Sequence, residues 1–213
     1  MDCVYILGSG SLAENAEIKY SIRSIEKHMA DLDRIFVVGE KTPDLPGVIN
    51  IEAADSMEYK WQNAYLKIYK ACQNPDISSE FLLMNDDFFM LEPFIGSEWP
   101  YYALKGSNGG SCGPHSYHMH CPMKINKGFY EKMPFDVYSK ACKSPRTLYA
   151  NFYQAPPTFS DDFILRGAPD CKDFDLQIKG NSCFSIGDNT MLYPPFIEWL
   201  DKLYPEPSRF EKK

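Results

Sequence analysis

Short apolar runs alternate with segments of helical periodicity along the first 90 residues or so of this chain, and this alternation restricts the fold more than any other feature. The apolar runs predict buried strands at residues 4–7, 34–38, 48–51 and 81–84. Between them, apolar spacing predicts helices at about residues 12–29, where Ser11 and Glu14 have capping-box spacing, and 61–72. Strands joined by helices in this order favour right-handed crossovers and a mostly parallel sheet, so we predict an α/β fold.

The second part of the chain has a different character. Beyond residue 95 the periodicity weakens, and glycine, proline, serine and aromatic residues surround short apolar runs. A length of 213 residues is close to one domain at the usual ~150 residues per domain. We therefore predict a single domain over residues 1–213, with an α/β half at 1–95 and an irregular lobe at 96–213 that packs on the sheet.

The charge balance restricts the classes of partner. The chain carries 22 Lys and Arg against 29 Asp and Glu, a formal net charge of −7. Proteins that coat nucleic acids rely on many basic side chains to replace counterions, so general nucleic-acid binding is disfavoured. Basic clusters at Lys124/Lys127 and at Lys140/Lys143/Arg146 leave a local nucleic-acid contact open.

Membrane and secretion signals are missing from the sequence pattern. The longest apolar stretches have four or five residues, far short of the ~20 that span a bilayer. The N-terminus lacks a basic segment followed by an apolar one, so we expect no secretory signal and a cytoplasmic location. The seven cysteines include no C-x-x-C pair, and we expect them to be reduced and mostly buried.

Polar residues follow the first and the fourth predicted strands. In a parallel sheet, ligands bind beyond the carboxyl ends of the strands, so both segments should lie at one edge. Asn85-Asp86-Asp87 offers hard oxygen ligands that suit Mg²⁺ or Mn²⁺; the alternative is an acidic turn that caps backbone amides. Gly8-Ser9-Gly10 either presents backbone amides to a phosphate or forms a plain turn into the helix.

A cluster of histidines lies in the second half. Three of the four histidines, His115, His118 and His120, fall within six residues between Cys112 and Cys121. The cluster predicts either a zinc site or a single histidine that acts as metal ligand or general base, with the others structural.

Charged residues in predicted loops supply further candidates. Arg146 either clamps a phosphate through its fork of donors or forms a surface salt bridge. Asp161, Asp162 and Asp188 are either ligands held by loops or solvated acids.

Several of these segments together resemble a known family. The helix segment Arg23-Ser24-Ile25-Glu26-Lys27 and the strand that ends in Asn85-Asp86-Asp87 resemble the Stealth-type sugar-phosphate transferases of capsular polysaccharide synthesis. Similar segments occur in small bacterial and phage glycosyltransferases of the GT-A nucleotide-sugar fold. Further matches lie at residues 120–122, 146–151 and 204–211. Stealth proteins typically open with V-Y-T-W-V-D-G-x-D, and the departure at Gly8-Ser9-Gly10 favours the small glycosyltransferase branch.

The resemblance implies a single-domain GT-A-like fold, with a nucleotide-sugar-binding half at 1–95 and an acceptor-side lobe at 96–213. It implies a Mn²⁺ or Mg²⁺ ion held by Asp86 and Asp87, and we predict His120 or Asp188 as further ligands. Either Asp162 or His120 would be the base for the acceptor hydroxyl. The predicted donor-binding residues are Gly8, Ser9, Arg23, Lys60, Asn63, Asn85, Asp86 and Arg146.

These residues predict a metal-dependent glycosyltransferase that transfers a sugar from a nucleotide-diphosphate sugar to a hydroxyl acceptor, a glycan precursor. Three alternatives stay open: a sugar-1-phosphate transferase of capsule synthesis, a glycosyltransferase acting on a modified DNA base, and a noncatalytic module that binds nucleotide sugars or glycans.

Overall fold

A mostly parallel sheet forms the centre of the molecule. The computed structural model describes residues 1–9, 11–39, 45–138, 140–165, 173–187 and 189–212. In these ranges the central sheet has the strands β1 (Asp2–Ile6), β2 (Ile35–Gly39), β3 (Ile49–Glu52), β4 (Glu80–Asn85) and β7 (Met123–Asn126). The strand order is β3-β2-β1-β4-β7, with β7 antiparallel to β4 and the other pairs parallel. The predicted α/β class is confirmed.

Two helices cover opposite faces of this sheet. Helix α1 (Glu17–His28) follows β1, and helix α2 (Lys60–Gln73) precedes β4. Successive side chains of a strand point to opposite faces. Accordingly, Tyr5 of β1 packs in one core cluster with Ile22 of α1, and Val4 packs in another with Ile68 of α2.

The start of α1 differs from the prediction. The expected capping box at Ser11 and Glu14 is wrong, because Glu14 and Asn15 adopt left-handed backbone conformations, with φ of 54° and 59°. Instead, Ser11 Oγ accepts hydrogen bonds from the N–H groups of Ala13 (3.3 Å) and Asn15 (3.0 Å). These turns delay the helix until Glu17.

The second half contains more regular structure than the predicted irregular lobe. Its strands have two to four residues, too few for a clear periodicity. The further strands and α-helices of the described residues are β5 (Phe88–Met90), β6 (Tyr101–Leu104), α3 (Lys127–Lys132), α4 (Pro145–Phe152), β8 (Pro157–Ser160), β9 (Ile164–Leu165), α5 (Phe174–Ile178), β10 (Cys183–Ile186) and α6 (Pro194–Leu203). A second sheet has the order β5-β10-β9, and β6 pairs with β8.

Both halves contribute to one core. Strand β7 completes the central sheet, and one cluster joins Cys3 and Ile22 to Phe163 and Phe210. None of the helices in the described ranges is long and apolar enough to cross a membrane.

The cysteines are only partly as predicted. Four of them are free and buried: Cys3, Cys72, Cys121 and Cys183. Cys112 and Cys142 form a disulfide, with Cα atoms 5.2 Å apart, so the expectation of reduced thiols is wrong for this pair. The two residues are 30 positions apart, and that spacing carries no recognisable motif. Cys171 lies outside the described residues.

Candidate functional site

A cleft of about 540 Å³ opens at the carboxyl ends of β1 and β4. These strands are parallel neighbours, and Ile6 at the end of β1 lies opposite Asn85 at the end of β4. The residues that follow, Gly8 and Ser9 on one side and Asp86 and Asp87 on the other, therefore line one space. The predicted convergence of the two strand ends is confirmed.

The walls of the cleft come from the two helices. One face of α2 contributes Lys60, Asn63, Ala64 and Lys67, which follow helical i, i+3, i+4, i+7 spacing. The turn before α1 and its first residue contribute Asn15 and Glu17, and the segment after β10 contributes Gly187 and Met191. Seven predicted site residues thus line the cleft: Gly8, Ser9, Lys60, Asn63, Asn85, Asp86 and Asp87.

Carboxylates crowd the end of β4. Burial, the charge of Asp87 and the neighbouring Glu17 carboxyl group together raise the pKa of Asp86 well above its usual value. Glu17 is 9% exposed and accepts a hydrogen bond from Ser11 Oγ at 3.0 Å. The carboxyl groups of Glu17, Asp86 and Asp87 are therefore close enough to interact at this strand end, where a divalent cation would favour their ionised forms.

The donor set fits Mn²⁺ or Mg²⁺ in kind, since both prefer carboxylate oxygens. Asp86 and Asp87 supply such oxygens at the edge of the cleft. Within the described ranges, no group of three or more His, Cys, Asp or Glu side chains has the arrangement of a complete metal site. Asp188, the predicted further ligand, lies outside the described residues.

Asp55 is a cleft residue that the sequence analysis missed. Its Oδ2 accepts hydrogen bonds from the backbone N–H (2.9 Å) and the hydroxyl (2.8 Å) of Ser9, and its Oδ1 pairs with Lys67. Lys67 also donates to the carbonyl of Leu7. Although burial alone would raise it, the bonds from Lys67 and Ser9 hold the pKa of Asp55 below its usual value. This network fixes the loop after β1.

The sequence matches no protein-family model and no curated protein. The structure is similar to galactosyltransferase LgtC, solved with donor and acceptor sugar analogues, with a TM-score of 0.59 and 10% identity over 100% of this chain and 98% of that one. An active-site mutant of LgtC gives the same TM-score and coverage at 11% identity. The chain has the GT-A fold. The predicted fold class is therefore confirmed, and at this level of identity the likeness concerns the fold alone.

Two of the predicted residues in the cleft, Lys60 and Asn63, differ in how exposed they are. Lys60 is exposed on the rim at the first residue of α2. Asn63 is buried and forms two hydrogen bonds with the backbone of Met57: Oδ1 accepts from the N–H (2.9 Å) and Nδ2 donates to the carbonyl (3.0 Å). Asn63 thus holds the loop before α2 in place.

Arg146 lies behind the cleft, and its donors are turned inward. Its guanidinium donates to Asn85 Oδ1 (2.7 Å) and to the carbonyl of Cys121 (3.1 Å), and it stacks 5.3 Å from the Phe88 ring centre. Burial lowers the pKa of Arg146 to about 10. The sequence offered two alternatives for Arg146, a phosphate clamp and a surface salt bridge. The structure shows neither arrangement; Arg146 instead positions the side chain of Asn85.

Arg23 is also away from the cleft. Its Nε and Nη2 donate to the two carboxylate oxygens of Glu211 at 2.7 and 2.8 Å, and its Nη1 donates to the carbonyl of Tyr204 at 3.1 Å. All three nitrogens therefore bind protein groups. The predicted donor-binding role of Arg23 is corrected to a structural one.

The histidine cluster is divided among separate environments. His118 is buried; its Nε2 lies 3.0 Å from Ser160 Oγ, and its Nδ1 lies 3.8 Å from Asp162. Burial lowers the pKa of His118, while Asp162 opposes the shift. The Nδ1 of His120 lies 3.1 Å from Ser185 Oγ. Neither His120 nor Asp162 lines the cleft, and the zinc alternative loses Cys112 to the disulfide.

Proposed function

We propose that this protein is a glycosyltransferase that moves a sugar from a nucleotide-diphosphate sugar to a hydroxyl acceptor with Mn²⁺ or Mg²⁺. One observation carries the proposal: Gly8 and Ser9 meet Asp86 and Asp87 in a single cleft of about 540 Å³ at the carboxyl edge of a GT-A sheet. A cleft of this size lies within the ~300–1,000 Å³ typical of small-molecule sites. Galactosyltransferase LgtC, which has the same fold, was solved with sugar donor and acceptor analogues.

The proposed donor lies along the ends of β1 and β4. Gly8 and Ser9 would border the nucleotide. The network of Asp55 and Lys67 fixes the backbone that they would present to it. Lys60 on the rim would face the diphosphate, and Asn85 the sugar. Asn63 would support this arrangement by holding the loop before α2, and Arg146 would support it by holding the side chain of Asn85.

Sugar transfer breaks the bond between the anomeric carbon and the diphosphate oxygen, and a new bond forms to the acceptor oxygen. The acceptor hydroxyl loses its proton to a base, for which Asp162 and His120 remain the candidates. The leaving diphosphate gains negative charge; Asp86 and Asp87 would hold a cation that, when bound, would stabilise this charge as a Lewis acid. Asp188 and His120 remain proposed additional ligands.

Calorimetric titration with a panel of nucleotide sugars tests the donor and metal proposals together. We expect binding with Mn²⁺ and at least about a tenfold loss of affinity in Asp86→Asn and Asp87→Asn, since each removes a charged cation ligand. Asp161→Asn is the matched control, because Asp161 is an exposed acid paired with Lys105 outside the cleft. Donor binding that needs no metal and survives both substitutions would contradict the metal proposal.

Product analysis separates the alternatives. Release of a nucleoside diphosphate supports the glycosyltransferase, whereas a nucleoside monophosphate indicates a sugar-1-phosphate transferase. Donor binding without turnover on any glycan or hydroxyl acceptor indicates a noncatalytic module. The resemblance to capsule enzymes favours a glycan precursor as acceptor, and transfer to DNA carrying a hydroxylated base would instead indicate a nucleic-acid acceptor.

A further inference from the structure

A smaller hollow adjoins the cleft, and we call it the side hollow. The two spaces share Ile6, Ala64 and Asn85, so they meet where β1 and β4 end. The volume of the side hollow is about 90 Å³. It is too small for a nucleotide sugar, but it has room for part of one sugar ring beside Asn85.

One wall of the side hollow is aromatic. Trp61 lines it, with Tyr59 stacked on the indole at 6.1 Å and Phe135 edge-on at 5.9 Å between ring centres. These contacts fix the plane of the indole. A sugar ring has an apolar C–H face, and a fixed aromatic plane offers that face a contact surface at little entropic cost.

The charges of the two spaces are opposite. Two cations, Lys143 and Arg146, line the side hollow, and no carboxylate is found among its described lining residues. The cleft has two lysines, Lys60 and Lys67, and five acids: Glu17, Asp55, Glu58, Asp86 and Asp87. The lining is mainly apolar. Because the donors of Arg146 bind Asn85 and Cys121, Lys143 is the cation among the described lining residues that would meet an anionic group.

The segment that carries Lys143 is anchored on both sides. Cys142 is bonded to Cys112, and Ser144 caps α4 by accepting a hydrogen bond from the N–H of Thr147 at 3.2 Å. Arg146 is held by Asn85 and the carbonyl of Cys121. The backbone that carries Lys143 and the guanidinium group of Arg146 are therefore placed before a ligand arrives, which reduces the cost of binding.

We propose that the side hollow binds the acceptor, and that this acceptor is a sugar carrying an anionic group such as a carboxylate or a phosphate. The ring lies against Trp61, the anionic group faces Lys143, and a hydroxyl points past Asn85 into the cleft. The assignment as acceptor rests on the proposed function, whereas the binding of an anionic sugar does not require turnover.

The test measures the binding of sugar probes in the absence of donor, with saturation-transfer NMR as the readout. The probes are methyl glucuronide and methyl glucoside, which differ in one charge, together with glucose 6-phosphate and glucose. A single partly exposed charge contact predicts about a fivefold preference for each anionic probe over its neutral partner. Preference for the glucuronide, the phosphate or both supports the proposal and identifies the anionic group.

Two substitutions localise the binding. Lys143→Gln should abolish the anionic preference and leave the neutral sugars unchanged, because Lys143 is exposed and its loss leaves the fold intact. Trp61→Leu should weaken all four probes by about tenfold through the lost ring contact. Lys179→Gln, an exposed lysine outside both spaces, is the control. Thermal unfolding of each variant verifies that the protein is folded.

Equal binding of charged and neutral sugars, a preference that survives Lys143→Gln, or no binding of any probe would overturn the proposal. Donor titrations in the same samples keep the two hypotheses apart. A protein that binds a nucleotide sugar but none of the probes retains the proposed function and loses only the anionic acceptor.

Discussion

The ion pair between Arg23 and Glu211 gives a quantitative test of the structural role assigned to Arg23. Their side chains are 8% and 12% exposed, and two hydrogen bonds of 2.7 and 2.8 Å join them. Removal of one partner leaves a desolvated charge and costs about 3 kcal/mol, the lower end for buried pairs. In a chain of this length, that loss lowers the melting temperature by about 6–12 °C.

A second ion pair in the same region is the matched control. Arg209 and Glu26 also join the C-terminal segment to α1, but their side chains are 57% and 27% exposed, and Arg209 Nε lies 3.5 Å from Glu26 Oε1. An exposed pair of this kind contributes less than about 1 kcal/mol. We therefore expect Arg23→Met to destabilise the protein about three times as much as Arg209→Met in urea unfolding monitored by circular dichroism.

The cost of Arg23→Met should also depend on pH. Burial raises the pKa of Glu211, but the bonds from Arg23 and Ser208 outweigh it and leave the pKa below its usual value. The pair therefore contributes fully above the unfolded-state pKa of Glu, ~4.3, and the contribution disappears as the pH falls further. Wild type and Arg23→Met should differ equally at pH 6 and 8, and less below about pH 4.

Donor titration completes the test. Equal destabilisation by Arg23→Met and Arg209→Met would refute the argument from desolvation. A large loss of nucleotide-sugar affinity at unchanged stability would restore the donor-binding role predicted from the sequence. Adding Glu211→Gln to Arg23→Met should recover part of the lost stability, since a neutral amide is less costly to bury than an unpaired carboxylate.

Two further contacts give separate predictions. Lys67→Met removes the partner of Asp55 and the donor to the Leu7 carbonyl, and urea unfolding should show a loss of about 3 kcal/mol; unchanged stability would contradict the network. Cys142→Ser opens a loop of 30 residues and should lower the unfolding free energy by about 3–4 kcal/mol. The wild type in excess reductant should show the same loss, and a wild type insensitive to reductant would argue against the disulfide.

Long periodic segments of the first 90 residues were predictable because their signals are local. Ile22 and Ile68 lie on helix faces at regular spacing, and the two core clusters bury them as expected. The position of Ser9 and Asp86 in one cleft was likewise predictable, since neighbouring parallel strands end at one edge of the sheet. These inferences need only periodicity and the handedness of crossovers.

The errors about the site residues concern contacts between residues far apart in the chain. Arg23 resembles a phosphate ligand in isolation, and its partner Glu211 lies 188 residues away. Asp55 was overlooked because polar residues were sought only after the first and fourth predicted strands, whereas Asp55 follows β3. Its significance depends on Ser9 and Lys67, and only the folded chain brings these three together.

The two buried arginines do not offer their positive charge to the proposed donor. Arg23 and Arg146 use their donors inside the protein, and Lys67 is paired with Asp55. The cleft is therefore lined by more acids than bases. Like charges at 4 Å repel by about 4 kcal/mol at an effective dielectric constant near 20. A nucleoside diphosphate that entered this cleft without a cation would meet repulsion of this kind, so we expect it to bind more weakly without Mn²⁺ or Mg²⁺ than with it.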